Sequence, residues 1–367
     1  MKELPLTVKR SIELVGLVIL AYVVSTGREI VTPLLMAFFL AILLLPIYRF
    51  LRKYKLPNAL AILLSIITAA AVLAGVIWFF SMQVASLLSD IPEIRKNLNS
   101  HWHTLSDWIN SKTNFSSQQQ IDWLRQQSNG LLDNTGTYLS GAALSLTGVF
   151  IFVGLLPIYT FLILYYKNLL LRFIFLWFSP DKHETVMTSL NEAEVIIKSY
   201  LVGLMIQITY ITILLGGILM IIGIKHALLI GIIFAILNLI PYVGALIGNI
   251  IGVLLTLTSS QELWPIVTVL IVIAVVQFLD NNILMPRIVG SKVRLNALVS
   301  ILGVVIGGTI AGVAGMFLSL PVMAILKIIF DNSVNFRQWG ILLGDEKPKK
   351  SPMTVTLLRS RKKEDEP

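Results

Sequence analysis

The sequence predicts an all-α integral membrane protein. It should contain about six full transmembrane helices plus two oppositely oriented helical hairpins, which form an inverted repeat, and a small extracytoplasmic helical cap. Composition is the first reason, because 56% of the 367 residues are hydrophobic and only 13% are charged, whereas soluble domains carry about 25% charged residues. The net charge of +9 falls mostly on loops between apolar segments, so it indicates topology and contact with anionic lipid rather than nucleic-acid binding.

The second reason is the length of the last apolar stretch, residues 295–330. A straight helix over this stretch would reach about 54 Å, well beyond the ~30 Å hydrocarbon core of a bilayer. Both flanks are basic, which predicts that both ends lie in the cytoplasm. The stretch must then fold back on itself, and the Gly307-Gly308 pair is the expected turn.

Three apolar segments are expected to form an N-terminal transmembrane scaffold at residues 1–89. The predicted spans are residues 12–26, 30–48 and 59–80, and none has a charged residue at its centre. Basic residues before the first span could start a signal peptide. No convincing small-residue cleavage site follows, and the next apolar segment begins almost at once, so the first span is expected to be retained.

Residues 90–138 are the one substantial polar region and are expected to make the extracytoplasmic helical cap. Apolar residues in its first part recur at three- and four-residue spacing, and Ser117 with Gln120 is typical of a capping box that opens a second helix. His101 and His103 could suggest half of a metal site. Residues two apart point to different sides of a helix, however, and no third ligand is near, so a structural role is favoured and no metal is expected.

The second half of the chain is expected to contain a fourth span with a cytoplasmic connection, a core with inverted-repeat hairpins and a cytoplasmic tail, at residues 139–198, 199–330 and 331–367. The core has two matching units, each a full span followed by a long interrupted segment. The spans are residues 199–224 and 263–279, and the interrupted segments are residues 227–258 and 295–330. With the N-terminus inside, nearly all basic loops fall in the cytoplasm, provided that the first interrupted segment is a hairpin that enters from outside.

Paired apolar segments that Gly or Pro interrupts at matching positions are the best sequence indication of a transporter's midplane site. The alternative is that four-residue glycine spacing, as at Gly244, Gly248 and Gly252, serves only close helix packing. Matching arm lengths, opposed directions and polar residues at the tip favour the hairpins. The candidate substrate-binding or gating residues are Asn238, Pro241, Tyr242, Gly244, Asn249, Gly307, Gly308 and Pro321.

A second candidate set follows the sixth span and comprises the coupling or gate residues Gln277, Asp280, Asn281, Asn282, Pro286 and Arg287. A carboxylate at the end of a nearly uncharged span is costly unless it is solvated or paired. The favoured interpretation is an interfacial salt bridge between Asp280 and Arg287, with Pro286 turning the chain between them. In the alternative, Asp280 and the adjacent amides form a polar gate or a point of proton or ion coupling.

Two long segments carry a family resemblance. LNLIPYVGALIGNIIGVLLTL, at residues 237–257, and DNNILMPRIVGSKVRLNALVSILGVVIGGTIAGVAGMFLSLPVMAILK, at residues 280–327, resemble the signature regions of the autoinducer-2 exporter (AI-2E) family of bacterial membrane transporters. One departure lies at the start of the fifth span. The family often shows Tyr-Leu-Arg-Gly-Gln there, whereas this chain has Tyr200-Leu201-Val202-Gly203-Leu204, so any role of that Arg and Gln must be absent or supplied elsewhere.

The resemblance implies secondary transport by a homo-oligomer, with a pentamer as one such assembly, in the bacterial cytoplasmic (inner) membrane. It does not identify the substrate, because family members are linked both to export of a small polar signalling molecule and to Na⁺/H⁺ exchange. The expected function is export of a small polar solute by alternating access through a multi-pass protein with both termini in the cytoplasm. A cation/proton antiporter is the alternative, and a passive channel is less favoured.

The expected partners are therefore the lipid bilayer and a small polar solute or a monovalent cation or proton, with no nucleic acid and no cofactor. An enzyme is not expected. The sequence contains no cysteine, no H-E-x-x-H motif and no phosphate-binding GxxxxGK[ST] loop.

Overall fold

The computed structural model describes residues 5–112, 154–240, 243–260, 262, 264–284, 287, 295–333 and 336–345. Three candidate site residues, Pro241, Tyr242 and Pro286, lie outside this described part, and so do the second half of the predicted cap and most of the tail. Regular structure in the described ranges is helical, apart from one isolated antiparallel bridge between Leu295 and Gly344. The all-α prediction is therefore confirmed.

The helices are numbered in chain order. They are α1 Leu6–Thr26, α2 Arg28–Lys53, α3 Asn58–Ser89, α4 Ile91–Lys112, α5 Gly154–Tyr165, α6 Lys167–Trp177, α7 His183–Ile222, α8 Ala227–Leu237, α9 Val243–Ser259, α10 Trp264–Leu279, α11 Ala297–Asp331 and α12 Arg337–Leu343. A 3₁₀ turn, Pro180–Lys182, precedes α7, and a π-helical turn, Asp280–Leu284, follows α10.

Five of these helices are long and apolar enough to cross a membrane. They are α2, α3, α7 with its preceding turn, α10 with its π turn, and α11. The number rises to six if α5 and α6, which meet at a bend of 66°, make one broken span. Among the described residues, five to six apolar segments are thus long enough to cross a bilayer; this count includes α11, which was predicted as a hairpin, and leaves out α1, the predicted first span.

Helices α8 and α9 fold back on each other and form what we call the first hairpin. Within the predicted interrupted segment, α8 ends at Leu237, and the candidate residue Asn238 follows it as the C-terminal cap. The two arms touch through glycine. A Cβ added to Gly244 would lie closer than 3.0 Å to the carbonyl carbon and oxygen of Leu237, and one added to Gly248 would meet the ring of Phe234. Glycine at these positions therefore permits both the turn and the close packing.

Helix α11 also reverses direction, and we call it the second hairpin. Ala311 and Gly312 have non-helical backbone angles, and Gly312 has a φ of +58°, which glycine adopts readily. A Cβ added to Gly307 or Gly315 would lie closer than 3.0 Å to the carbonyl oxygen of the other residue. The predicted turn at Gly307-Gly308 is therefore wrong. The chain turns at Gly312, and the Gly307-Gly308 pair lies in the first arm, where small residues let the two arms touch.

The hairpins approach α7 from opposite ends. The first begins just after the C-terminal end of α7, and the second is tied near the N-terminal end by Asn332, whose Nδ2 donates to Glu192 Oε2 at 3.5 Å. One apolar cluster joins α7, the first hairpin and α10, and a second joins α7, α2 and Leu318 of the second hairpin. Leu239, at the tip of the first hairpin, packs against that second cluster. The tip of the first hairpin therefore packs against the apolar cluster that also contains Leu318 of the second hairpin, about halfway along α7.

Candidate functional site

The carboxylate of Asp280 lies at the point where α7, α10 and the tip of the first hairpin meet. The residue is only 1% exposed. Its Oδ2 accepts hydrogen bonds from Gln207 Nε2 at 2.8 Å and from Asn238 Nδ2 at 3.3 Å, and its Oδ1 accepts one from the Tyr210 hydroxyl. We call these four side chains the Asp280 cluster. Three neutral donors thus converge on one buried acidic group.

The lengths of the surrounding helices set how far this cluster lies from the end of the bundle at Trp264. At 1.5 Å per residue, the 16 residues of α10 put Asp280 about 24 Å from Trp264. Along α7, Gln207 lies about 22 Å from Ile222, at the same end of the molecule as Trp264. Along α8, the 11 residues put Asn238 about 16 Å from the start of that helix. All three lengths fall inside a core of ~30 Å. Ionisable residues within apolar membrane-spanning segments are rare and usually functional.

No cation pairs with Asp280 in the described part of the chain. The described residues form six ion pairs with N···O distances up to 4.0 Å, and none of these pairs includes Asp280. Arg287 is exposed. The predicted salt bridge between Asp280 and Arg287 is therefore not formed. The reason is that Asp280 begins a π turn that directs its side chain toward α7 and the hairpin tip.

The other predicted coupling residues make local contacts. Gln277 Nε2 donates to Asn281 Oδ1 at 3.3 Å, and Asn282 Nδ2 donates to the Phe278 carbonyl oxygen at 2.9 Å. Asn281 and Asn282 are exposed. The π turn therefore separates these amides from the carboxylate that directly precedes them.

The predicted binding residues fall into two groups, those of the first hairpin and those of the second hairpin. Asn238 belongs to the Asp280 cluster, and Gly244 is buried directly behind it. Asn249 is half-buried on α9. The residues on the second hairpin, which are Gly307, Gly308 and Pro321, make none of the described contacts of Asp280.

Gln207 and Tyr210 are site residues that the sequence analysis missed. Both lie in the second half of α7, where Gln207 is the one amide and Tyr210 the one phenol among residues that are mostly aliphatic. The presence of these two polar side chains in an apolar span could have indicated the site, since polar groups inside a span seldom serve packing alone. Gln207 supplies a buried amide from the same helix, one turn beyond Leu204, where the family motif often has Gln and this chain does not.

A groove of about 660 Å³ lies beside the cluster, between α7 and the end of α10. Its walls are apolar except for Thr209 and Tyr210, and Tyr210 is the side chain that donates to Asp280. The ring of Tyr210 thus belongs both to the groove and to the cluster. Its hydroxyl faces the carboxylate.

Helix α4, the described part of the predicted cap, connects the two ends of the first hairpin. Asn97 Nδ2 donates to the Thr258 carbonyl oxygen at 3.0 Å, and His101 Nε2 lies 2.7 Å from the Ser260 carbonyl oxygen, so that nitrogen carries the proton. Near the start of α8, Lys225 Nζ pairs with Asp90 Oδ2 at 3.0 Å and with Glu93 Oε2 at 2.6 Å. We call this set of contacts the α4 clasp.

Residues 14–335 match the family described as AI-2E family transporter. Similar proteins include the putative transport protein YrrI of Bacillus subtilis strain 168, 26% identical over 84% of this chain and 88% of YrrI. The AI-2 transport protein TqsA of Escherichia coli K12 is 27% identical over 90% of this chain and 93% of TqsA. The match covers both hairpins and every residue of the Asp280 cluster, and the chain belongs to the AI-2E family of transporters.

Proposed function

We propose that this protein is a secondary transporter that exports a small polar solute by alternating access, with the Asp280 cluster at its polar site. Family membership makes the chain a membrane transporter of a small solute. The observation that carries the finer proposal is the Asp280 carboxylate, which is buried beneath the tip of a hairpin and receives hydrogen bonds from neutral partners only. A purely structural span gains nothing from such a group, because burying a charge without a partner costs on the order of several kcal/mol.

The two hairpins support alternating access. They approach α7 from opposite ends, and the tip of the first packs near the second. Pairs of interrupted helices in opposite orientation commonly hold a substrate at their junction, and one repeat rocks against the other to expose it to each side in turn. In this proposal the paired hairpins are that inverted repeat, and the residues at their tips form the gates.

The chemistry of the cluster suits a small hydroxylated molecule. Amides, a phenol and a carboxylate can donate to and accept from hydroxyl groups, whereas no lysine or arginine pairs with the cluster in the described residues. TqsA is named for transport of AI-2, so AI-2 is the first solute to test. We further propose that the protein acts as a homo-oligomer in the inner membrane, with α4 outside and both termini in the cytoplasm.

A second candidate function is cation/proton antiport. The specific observation that favours it is that the cluster contains an acidic group, which a purely neutral solute does not require. The two candidates differ in what drives the flux. A solute exporter carries an organic solute, and an ion gradient can drive that flux. A cation/proton antiporter exchanges a cation for protons and needs no organic solute.

The test is transport by purified protein in liposomes, with AI-2 and a panel of small polyols, and with imposed Na⁺ or proton gradients. We expect saturable counterflow of at least one solute. Replacing Asn238 by Ala should lower that flux at least tenfold, and replacing Asn110, an exposed asparagine of α4, should not. A measurable unitary conductance would instead identify a channel, and cation flux that needs no solute would identify the antiporter.

A further inference from the structure

We propose that Asp280 binds and releases a proton, and that this proton decides whether the tip of the first hairpin is held or free. The inference rests on the proposed transport function and adds the identity of the coupled ion and the device that senses it. Its physical basis is the hydrogen-bond inventory of the Asp280 cluster.

The ionised carboxylate matches its surroundings. An ionised Asp only accepts hydrogen bonds, and the three side chains that contact Asp280 all donate to it. Two of these donors belong to α7, but the third, Asn238, is the cap residue of α8 and belongs to the hairpin tip. When Asp280 is charged, the tip is therefore bound to the bundle by a charge-assisted hydrogen bond, which is stronger than a neutral one.

The cluster also contains a place for the proton. A protonated Asp must donate one hydrogen bond, and it needs an acceptor. The Oε1 atom of Gln207 is buried and has no hydrogen-bond partner in the described residues, on a side chain only 3% exposed. Rotation of the Gln207 amide would turn this oxygen toward Asp280. Buried polar atoms seldom stay unsatisfied without a reason, and this one can accept the proton that Asp280 would carry.

Protonation should release the hairpin tip first. The Asn238 contact is the longer of the two amide contacts, at 3.3 Å compared with 2.8 Å for Gln207. A neutral carboxylic acid is a weaker acceptor than a carboxylate, and one of its oxygens is now a donor. Asn238 therefore loses the bond that ties α8 to α7 and α10, while Gln207 keeps one by turning its amide.

A proton fits this site better than a sodium ion does. A dehydrated monovalent cation needs several oxygen ligands that replace its water, as carbonyl oxygens do in a selectivity filter. Here Gln207 and Asn238 present nitrogen donors to the carboxylate, and the Tyr210 hydroxyl also donates. A cation would need both amides and the hydroxyl to turn so that their oxygens face it, whereas a proton requires one amide to turn.

No other charged group competes for this role among the described residues. From α7, Tyr210 is the titratable neighbour, and the hairpin tip contributes the neutral Asn238. The turn that carries Asp280 adds the amides of Asn281 and Asn282, which are exposed and bond elsewhere. No Lys, Arg or His nitrogen in the described ranges forms an ion pair with Asp280 within 4.0 Å.

The proton is tested by infrared difference spectroscopy of the full-length protein in liposomes as pH is varied. We expect the carbonyl band of a neutral carboxylic acid to appear on acidification and to be lost in Asp280→Asn. The matched control Asp181→Asn, at an exposed aspartate, should keep it. The proposal is overturned if Asp280→Asn leaves the band unchanged, or if added Na⁺ removes the band at constant pH. This measurement needs no substrate, so it stands even if the proposed solute transport fails.

Coupling is tested in the same liposomes. In Asp280→Asn, the side chain has the size of Asp but cannot ionise. A proton gradient should therefore no longer accelerate flux, and the gradient-dependent part of the flux should fall at least tenfold. In Asn238→Ala, the acid band should remain while deuterium uptake at the end of α8 rises. An Asp280→Asn variant with an unchanged response to the gradient, or an Asn238→Ala variant with unchanged uptake, would refute the switch.

Discussion

Asn97 of α4 donates a hydrogen bond to the carbonyl oxygen of Thr258, which lies 161 positions further along the chain. The acceptor belongs to the last turn of α9, where helical carbonyl groups lack partners within the helix. Asn97 is only 3% exposed, so the bond is shielded from water. His101, one turn on, reaches Ser260 in the same way. Helix α4 thus closes the C-terminal end of the first hairpin.

Replacing Asn97 by Ala should loosen that end of the hairpin. The lost bond is worth about 1 kcal/mol, and the Thr258 carbonyl would be left unsatisfied. We expect a lower melting temperature in detergent and faster deuterium uptake in the last turn of α9. Asn110→Ala, on the same helix but exposed, serves as the control. Equal uptake in the two variants would show that α4 does not restrain the hairpin.

Acid should weaken the contact between the start of α8 and the start of α4, through His226, which lies beside Asp90 of the α4 clasp. Burial lowers the pKa of His226 below its ordinary value, and its Nε2 lies 3.3 Å from Asp90 Oδ2 without forming a hydrogen bond. Since the unfolded chain would bind the proton at higher pH, stability falls as pH drops from about 6.5 toward the lowered value. The adjacent Lys225 has a raised pKa, because it hydrogen-bonds Glu93 and Asp90, so it stays charged throughout this range.

The measurement is the melting temperature at neutral and at mildly acidic pH. His226 has a φ of +58°, so His226→Asn is the suitable variant, because Asn tolerates the left-handed region. This variant should lose part of the acid sensitivity of the wild-type protein. If the two proteins lose stability in parallel on acidification, His226 is not the responsible group.

The first hairpin was predictable from sequence, whereas the partners of Asp280 were not. Asn238 and Pro241 interrupt an apolar run, and the observed α8 ends where that interruption begins. The second turn was misplaced, because Gly307-Gly308 and Gly312 look alike in sequence, and only backbone geometry distinguishes a turn from a packing contact. Asp280 meets residues 42, 70 and 73 positions away. No local pattern encodes such contacts, although a lone amide within a span was a usable hint.

The two roles of glycine predict opposite effects of the same substitution. Gly307→Ala places a Cβ against the backbone of Gly315, which should destabilise the protein by about 1–3 kcal/mol and disturb the second hairpin. A Cβ added to Gly75 in α3 would meet no neighbouring atom within 4 Å, so Gly75→Ala should stabilise the helix by up to about 1 kcal/mol. Thermal unfolding of the two variants in one detergent tests the sign. Stabilisation by Gly307→Ala would contradict close contact between the arms of α11.

Asn296 joins the base of the second hairpin to α12, and its two functions can be separated. Its Oδ1 accepts from the Val299 N–H at 2.9 Å, which caps α11, while its Nδ2 donates to the carbonyl oxygens of Leu342 at 2.6 Å and Gly344 at 3.1 Å. Asn296→Asp keeps a good helix cap but points a carboxylate at those carbonyls, so α12 should detach while α11 stays intact. Asn296→Ala loses both functions, including about 1 kcal/mol from the cap.

Limited proteolysis and deuterium exchange distinguish these outcomes. In Asn296→Asp, protection should fall in α12 alone, and in Asn296→Ala it should fall in both α12 and the first turn of α11. Asn332, which also lies at the base of the hairpin but bonds Glu192, offers a control, since Asn332→Ala removes a contact to α7 and leaves the contacts of Asn296 to α12 in place. If α12 is as well protected from exchange and proteolysis in Asn296→Asp as in the wild type, the docking of α12 depends on other contacts, such as the close approach of Gly340 to Asp331.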